Sequence, residues 1–407
     1  MLRDLRAVWA LLLGVMLLAM GNGLQGSLVG LTAARESFST TTTGIIMSGF
    51  PLGQLLSAFV TPLVVARVGH IRVFAAFASV ASTAVLLIPL WVSAPWWFAM
   101  RFFAGLCTAG LYIVVESWLN AASTNRSRGR ILSVYMIIVY GAIGFGQFLL
   151  NIADTSGFSR FILVSALMSL SLVPISLAPT SEPRIETPKA VGLRDLYRES
   201  PLAVIATFAN GLAQSAFFSM GAVYGMMQGL DVSRVALMMA LPPLGVILTQ
   251  FPIGLLSDRF DRRSVLTALA FLAAVVAVAC IFAGEYSVQS LIVLFSVFGA
   301  IAMPIYSVAI AHANDHLTKD QMLGASGQLV LVYGMGAVLG PSLAGATMQA
   351  LGTPGFMTYM AVIFAGLGLY AIYRMRMRAS PPKAADSRVA VSPATTPVAV
   401  AAQSETG

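Results

Sequence analysis

Charge is what this chain has least of: Asp, Glu, Lys and Arg make up 10% of its 407 residues, against roughly 25% in an ordinary soluble domain. With 58% hydrophobic residues and a mean hydropathy of +0.85, the expected solvent is lipid rather than water. Cysteine is nearly absent too. Cys107 and Cys280 fall inside separate apolar runs, which suggests neither a disulfide framework nor a thiolate metal cluster. No G-x-x-x-x-G-K-[ST] phosphate loop and no H-E-x-x-H occurs, so an ATP-driven pump and a zinc hydrolase have no support. No convincing nucleophile and base pair turns up either. Neither an enzyme, a cofactor nor a resident metal is expected.

What is abundant is long apolar sequence. Crossing about 30 Å of hydrocarbon at 1.5 Å per helical residue takes about 20 apolar residues. Twelve such stretches can be marked, roughly 8–33, 43–66, 71–93, 96–120, 131–153, 158–178, 202–226, 232–257, 264–283, 287–311, 323–350 and 354–373. They are continuous rather than alternating, which predicts an all-α transmembrane fold and not a barrel. The first stretch follows Arg3 and Arg6 and is too long for a signal h-region, so it is expected to remain as span 1.

Placing the N-terminus in the cytoplasm leaves only Arg35, Arg101, Arg160 and Arg234 of the 24 Lys and Arg on the outer side. That asymmetry predicts a multi-pass protein of the bacterial inner membrane with both termini cytoplasmic. It also accounts for the net charge of +8 without nucleic acid, and the partners expected are the lipid bilayer and a small-molecule solute. The polar stretch from Pro179 to Pro201 divides six spans from six. The predicted organisation is an N-terminal six-helix bundle over 1–178, a cytoplasmic linker over 179–201, a C-terminal six-helix bundle over 202–373 and a disordered cytoplasmic tail over 374–407.

The halves repeat each other in register. Asn22-Gly23-Leu24 recurs as Asn210-Gly211-Leu212, 188 residues on. Pro51, Leu52, Gly53, Leu56, Phe59, Leu63 and Arg67 recur 192 residues on as Pro243, Leu244, Gly245, Leu248, Phe251, Leu255 and Arg259. Gly105, Tyr112, Val114 and Asn120 match Gly299, Tyr306, Val308 and Asn314, and Val139-Tyr140-Gly141 matches Val332-Tyr333-Gly334. Two pseudo-symmetric bundles running in the same direction follow, with a solute path expected between them.

Between spans 8 and 9 stands Gly254-Leu-Leu-Ser-Asp258-Arg259-Phe-Asp261-Arg262-Arg263. This resembles the signature loop of the major facilitator superfamily (MFS), G-x-L-a-D-[RK]-x-G-[RK]-[RK], with Asp261 in place of the second glycine. A carboxylate among arginines at a helix end can bond helix-terminal amides or a basic partner. The first-half loop keeps Arg67, Gly69 and Arg72 but has Ala66 at the Asp position. Arg101-Phe-Phe-Ala-Gly105 is similar to the family's span-4 R-x-x-x-G. Gly336-Ala-Val-Leu-Gly340-Pro341-Ser-Leu-Ala-Gly345 is similar to a family span-5 pattern that here occupies span 11.

The resemblance implies a secondary transporter working by alternating access, with Gly254, Asp258, Arg259, Arg262, Arg263, Arg67 and Arg72 in gating and Arg101 in proton coupling. A non-transporting sensor or assembly partner of the same fold is the alternative. For Arg101 the other reading is an interfacial arginine snorkelling to headgroups. Glu116, near the cytoplasmic end of span 4, must be paired, protonated or hydrated. A salt bridge to Arg67 or Arg72 is expected first, a proton- or solute-handling site second. Asn22, Gln25, Asn210, Gln214, Gln147 and Gln328 are the substrate-path candidates, and Gln250 is a further intramembrane amide. His312-x-x-Asp315-His316 has metal-compatible spacing but reads as a solvated loop. Trp91, Trp96 and Trp97 read as interfacial anchors. Glycines at four-residue spacing predict close helix packing, and a monomer is expected.

Overall fold

The computed structural model describes residues 2–121, 125–152, 158–177, 192–317 and 319–377. Among these, twelve helices are long and apolar enough to cross a membrane. They are α1 (Val8–Arg35), α2 (Thr40–Val68), α3 (His70–Leu90), α4 (Ala94–Ala121), α5 (Gly129–Asn151), α6 (Ser159–Leu177), α7 (Pro201–Met227), α8 (Val232–Arg259), α9 (Arg262–Gly284), α10 (Val288–Asn314), α11 (Gly324–Leu351) and α12 (Gly355–Met377). The protein is a multi-pass membrane protein, and its surface fits that solvent. Leu248, Phe251, Leu177 and Val362 are each more than 60% exposed, apolar area that water would not tolerate and lipid does. With an even number of crossings the start of α1 and the end of α12 lie at one face, the terminal face. The other is the distal face.

The repeat seen in the sequence is a repeat of packing. Inside the first bundle α2 packs on α4, α1 on α5 and α3 on α6. Inside the second, α8 packs on α10, α7 on α11 and α9 on α12. Ser39 accepts from the Thr42 amide to cap α2, and Asp231, 192 residues on, accepts from the Arg234 amide to cap α8. Gly105 lies so close to the Phe50 carbonyl that a Cβ would collide with it. Its counterpart Gly299 lies against Pro242, the residue matching Phe50.

The bundles meet through α2 with α11, α5 with α8 and α1 with α7, a set that the pseudo-twofold maps onto itself. These contacts gather in the distal half. Gly44 of α2 abuts the Pro341 carbonyl, and Gly345 of α11 abuts the Thr40 carbonyl. The Thr40 hydroxyl donates to Gly345 O at 3.0 Å, and Ser48 and Ser342 share a hydrogen bond of 2.8 Å. Gly144 of α5 packs on Leu244 of α8, and Gly26 of α1 faces the Phe218 carbonyl of α7. Of the glycines expected at four-residue spacing, Gly26, Gly30, Gly49 and Gly53 lie against carbonyls of a neighbouring helix, as helices associating in lipid do, whereas Gly221 and Gly225 pack on the side chains of Met239 and Met238.

Helix α10 is interrupted at Met303 and Pro304. Proline has no N–H for the Ala300 carbonyl one turn back, and the Thr249 hydroxyl of α8 donates to that carbonyl at 2.7 Å instead. Asn210 of α7 donates to the neighbouring Ala302 carbonyl at 3.2 Å.

Within the linker expected over 179–201, the described residues are 192–201. Leu193–Glu199 is a short helix whose Leu196 is buried with Ala203 and Tyr306, and the rest lies outside the described residues. The tail expected to be disordered from 374 is helical through Met377, with the remainder outside the described residues. Trp97 is no interfacial anchor: it is fully buried, its indole donating to Trp91 O at 2.9 Å and its ring edge-on to Phe38 at 5.3 Å.

Gly105→Leu should lower the melting temperature of the detergent-purified protein by several degrees, since forced overpacking costs about 1–3 kcal/mol. Gly366, with nothing within 4 Å of a Cβ, should accept Ala without loss. Equal melting of the two variants would contradict the packing assignment.

Candidate solute site and coupling groups

A cavity of about 250 Å³ lies between the bundles, lined by α1, α2, α4, α5, α7 and α11. It is near the lower edge of the roughly 300–1,000 Å³ typical of ligand pockets. Its polar side chains are Asn22, Gln54, Gln147, Gln214, Ser215 and Ser219, and its aromatic ones are Phe50, Tyr112, Tyr140, Phe218 and Tyr333. Among the described residues, Arg101 is the sole charged one in the lining.

Arg101 is buried, with 3% of its surface exposed, so the snorkelling reading does not hold. Gly49 lets α4 approach α2 closely enough to set this up: a Cβ there would stand 2.6 Å from Phe98 O and 3.3 Å from Arg101 Cβ. The guanidinium carbon stands 4.5 Å from the centre of the Phe50 ring, a cation–π contact. Its Nε has no hydrogen-bond partner.

The substrate-path candidates divide. Asn22, Gln147 and Gln214 reach the cavity. Gln147 is already engaged, accepting from Ser27 and donating to Gly23 O, each at 2.7 Å. Gln214 accepts from the Tyr333 hydroxyl at 2.8 Å, tying α7 to α11. Asn210 instead faces a small cavity inside the second bundle, with Phe217 and Phe298, and serves the broken helix α10. Gln25 is wholly buried outside the lining with both amide atoms unpartnered. Gln328 is half-buried on α11, also outside the lining. Gln250 donates to Ser307 at 2.7 Å. Gln54 and the aromatic lining go unrecognised in the sequence reading, although Tyr140 and Tyr333 stand out there as a repeat pair.

Glu116 is fully buried, and the Tyr135 hydroxyl of α5 donates to its Oε1 at 2.7 Å. The bridge expected to Arg67 or Arg72 is not made, both arginines being exposed. Glu116 follows Arg101 by fifteen residues, about 22 Å along the helix. The two groups therefore lie near opposite ends of α4 and cannot exchange a proton directly.

At the terminal face the signature loop is organised around Arg262. Its guanidinium pairs with Asp315 at 2.7 Å and with Asp258 at 3.3 Å, and it also donates to the Ala311 carbonyl. The Asp315 side chain is 9% exposed and that of Asp258 40%, so the main acid is Asp315, not a member of a solvated loop as its sequence context suggests. His312 is buried as well, and its carbonyl stands 2.9 Å from His316 Nδ1. Asp261, where the pattern has glycine, has φ −60° and caps α9 by accepting from the Arg263 amide at 3.0 Å. Its counterpart Gly69 has φ 85°, so the two loops turn differently. Arg259 and Gly254 are exposed, and nothing stands within 4 Å of a Cβ on Gly254.

Relatives and structural neighbours agree with this architecture. The chain is 28% identical over 346 residues to a protein of Escherichia fergusonii described as an uncharacterized MFS-type transporter, YcaD, across 84% of this chain and 89% of the relative. A YcaD of Escherichia coli is 29% identical over 350 residues, with the same coverage. Among solved structures, a bacterial homolog of the human lysosomal transporter Spinster, inward-facing and unoccupied, superposes with a TM-score of 0.70 at 16% identity, over 93% of this chain and 99% of that one. The nucleoside transporter NupG superposes with a TM-score of 0.72 at 12% identity, over 93% and 99%. The family model described as Major Facilitator Superfamily matches residues 11–241 and 203–402. The chain belongs to the Major Facilitator Superfamily.

Proposed function

We propose that the protein is a secondary active transporter that carries a small organic solute through the central cavity by alternating access. The observation that carries this reading is the cavity itself: a polar and aromatic chamber between two pseudo-symmetric bundles whose joining contacts gather on one side of it. Opening the α2–α11 and α5–α8 seams while the terminal halves close would expose the same residues to the other face. The bias of Lys and Arg supports a cytoplasmic terminal face in a bacterial inner membrane, which makes the state described inward-facing.

Protons are the proposed coupling ion, with Glu116 taking and releasing them. At zero exposure, with the Tyr135 hydroxyl on one oxygen, the carboxyl is shielded from bulk water in this state, and movement of the bundle is the proposed occasion for its proton to exchange. Arg101 is placed to respond to the solute rather than to relay that proton. The Asp258–Arg262–Asp315 cluster is proposed to hold α8, α9 and α10 together as one moving body.

Two outcomes are expected. In proteoliposomes with a trapped pH dye, solute-induced proton movement should fall at least about tenfold in Glu116→Gln, while solute exchange without a gradient persists. Undiminished proton movement in that variant would refute the coupling role, and absence of any gradient-dependent flux in folded protein would favour a non-transporting sensor. For the cluster, Asp315→Asn should melt at a lower temperature than Asp258→Asn, because removing one partner of a buried pair costs roughly 3–5 kcal/mol and an exposed pair contributes far less. Equal melting would show that Asp315 is not the main partner.

A further inference from the structure

We propose that the central cavity receives an organic monocarboxylate, its head on Arg101 and its apolar body against the aromatic side chains. This rests on the reading of the cavity as the solute chamber and adds the charge and shape of what enters it.

The first ground is the cost of the cation. Arg101 lies in a membrane-spanning helix at 3% exposure, with a ring beside it, an unpartnered Nε and no ion pair among the described residues. A buried guanidinium left in that condition is expensive unless something answers its charge. No acid among the described residues lines the cavity, and Glu116 is about 22 Å away along α4.

The second ground is the repeat. The offset that carries Gly105 to Gly299 carries Arg101 to Phe295 and Glu116 to Ile310. Phe295 is fully buried and stacks on Phe217 at 4.6 Å, inside an aromatic cluster with Tyr224 and Phe356. The same position in the same fold is therefore filled by carbon when only packing is required. The cation in the first bundle is not a demand of the architecture. It faces the solute chamber, where its counterpart faces its own bundle.

The third ground is the rest of the lining. One guanidinium matches one carboxylate and can grip both of its oxygens. A dianion would bring an uncompensated charge into low dielectric, and an organic cation would be repelled. Phe50, Tyr140, Phe218 and Tyr333 offer ring surface to the remainder, and the cavity's 250 Å³ limits that remainder to a small body. Arg101 stands two turns into α4 from the distal face, and the fully buried Trp97 one turn beyond it packs on Phe38. A solute entering from the terminal face would meet Arg101 at the closed end of its path.

The test is binding to the full-length protein in detergent at neutral pH, by titration calorimetry and thermal shift. The probes are benzoate, phenylacetate and 3-phenylpropionate, set against their amides, phenethylamine and phenylmalonate. At least one monocarboxylate should bind and raise the melting temperature, and its amide, the amine and the dianion should bind at least about tenfold more weakly. Arg101→Gln should lose that preference and Arg101→Lys should keep part of it. Absence of binding by all three acids, equal binding of acid and amide, or unchanged acid binding in a folded Arg101→Gln each overturns the proposal. Discrimination among the probes is read on the unaltered protein, so a variant that fails to fold does not remove the test. Binding needs no gradient: anion-selective binding without flux would defeat the transport reading alone, and flux without anion selectivity would defeat this inference alone.

Discussion

Lipid gives helices no hydrophobic reason to associate, so this protein is held together by how closely backbones can approach. Glycine against carbonyl is the recurring contact: Gly53 on Phe102, Gly105 on Phe50, Gly211 on Tyr333 and Gly340 on Leu212 within the bundles, Gly44 on Pro341 and Gly345 on Thr40 between them. Much else follows from that constraint. Helices in such contact move as blocks, because a small shift opens a void or makes a clash. The contacts between the two blocks, with α2 on α11 chief among them, sit on one side of the cavity. Two six-helix bodies, each rigid within and meeting on one side of a chamber, have the form that exposing one chamber to two faces in turn requires.

On that symmetric frame the chemistry is asymmetric. The intramembrane charges Arg101 and Glu116 both belong to the first bundle, and the matching positions of the second are Phe295 and Ile310. Where the first bundle invests in ionisable groups, the second stacks rings, with Phe217, Phe295, Tyr224 and Phe356 forming a continuous aromatic core. Some of its polar groups serve its own helices, as Asn210 and Thr249 do at the break in α10, and others, Gln214, Ser215 and Ser219, line the cavity. Arg101 and Glu116 thus belong to one body, while both bodies supply polar and aromatic side chains to the cavity lining.

Much of the fold is legible in the sequence because its signals are long and redundant. Twelve apolar runs mark twelve helices, and a repeat with constant offsets survives in pairs such as Gly105 with Gly299 and Tyr140 with Tyr333. The site is less legible. An intramembrane amide is polar whether it lines a path or satisfies a neighbour's backbone, and only the fold separates Asn22 from Asn210. Its place at the cytoplasmic end of span 4 assigns Glu116 to the basic loop between spans 2 and 3, yet helix α4 turns it inward to Tyr135. Asp315 lies between two histidines and a lysine and reads as solvent-exposed, although Arg262 reaches across from α9 to bury it. Both errors come from judging a side chain's surroundings by its depth along a span or its chain neighbours, when the partner is decided by the face of the helix it occupies.

The central claim is that two rigid bundles exchange closure between the two ends of one cavity. Its most direct test is a pair of spin-label distances in liposomes, measured in a background where Cys107 and Cys280 are serine. One pair, Glu36→Cys with Leu351→Cys, spans the α2–α11 seam at the distal face. The other, Val68→Cys with Phe260→Cys, spans the ends of α2 and α8 at the terminal face. The account predicts two populations in each sample, and a change of pH or added solute that lengthens the distal distance should shorten the terminal one. Distances that stay fixed under every condition, or that lengthen together, would contradict it.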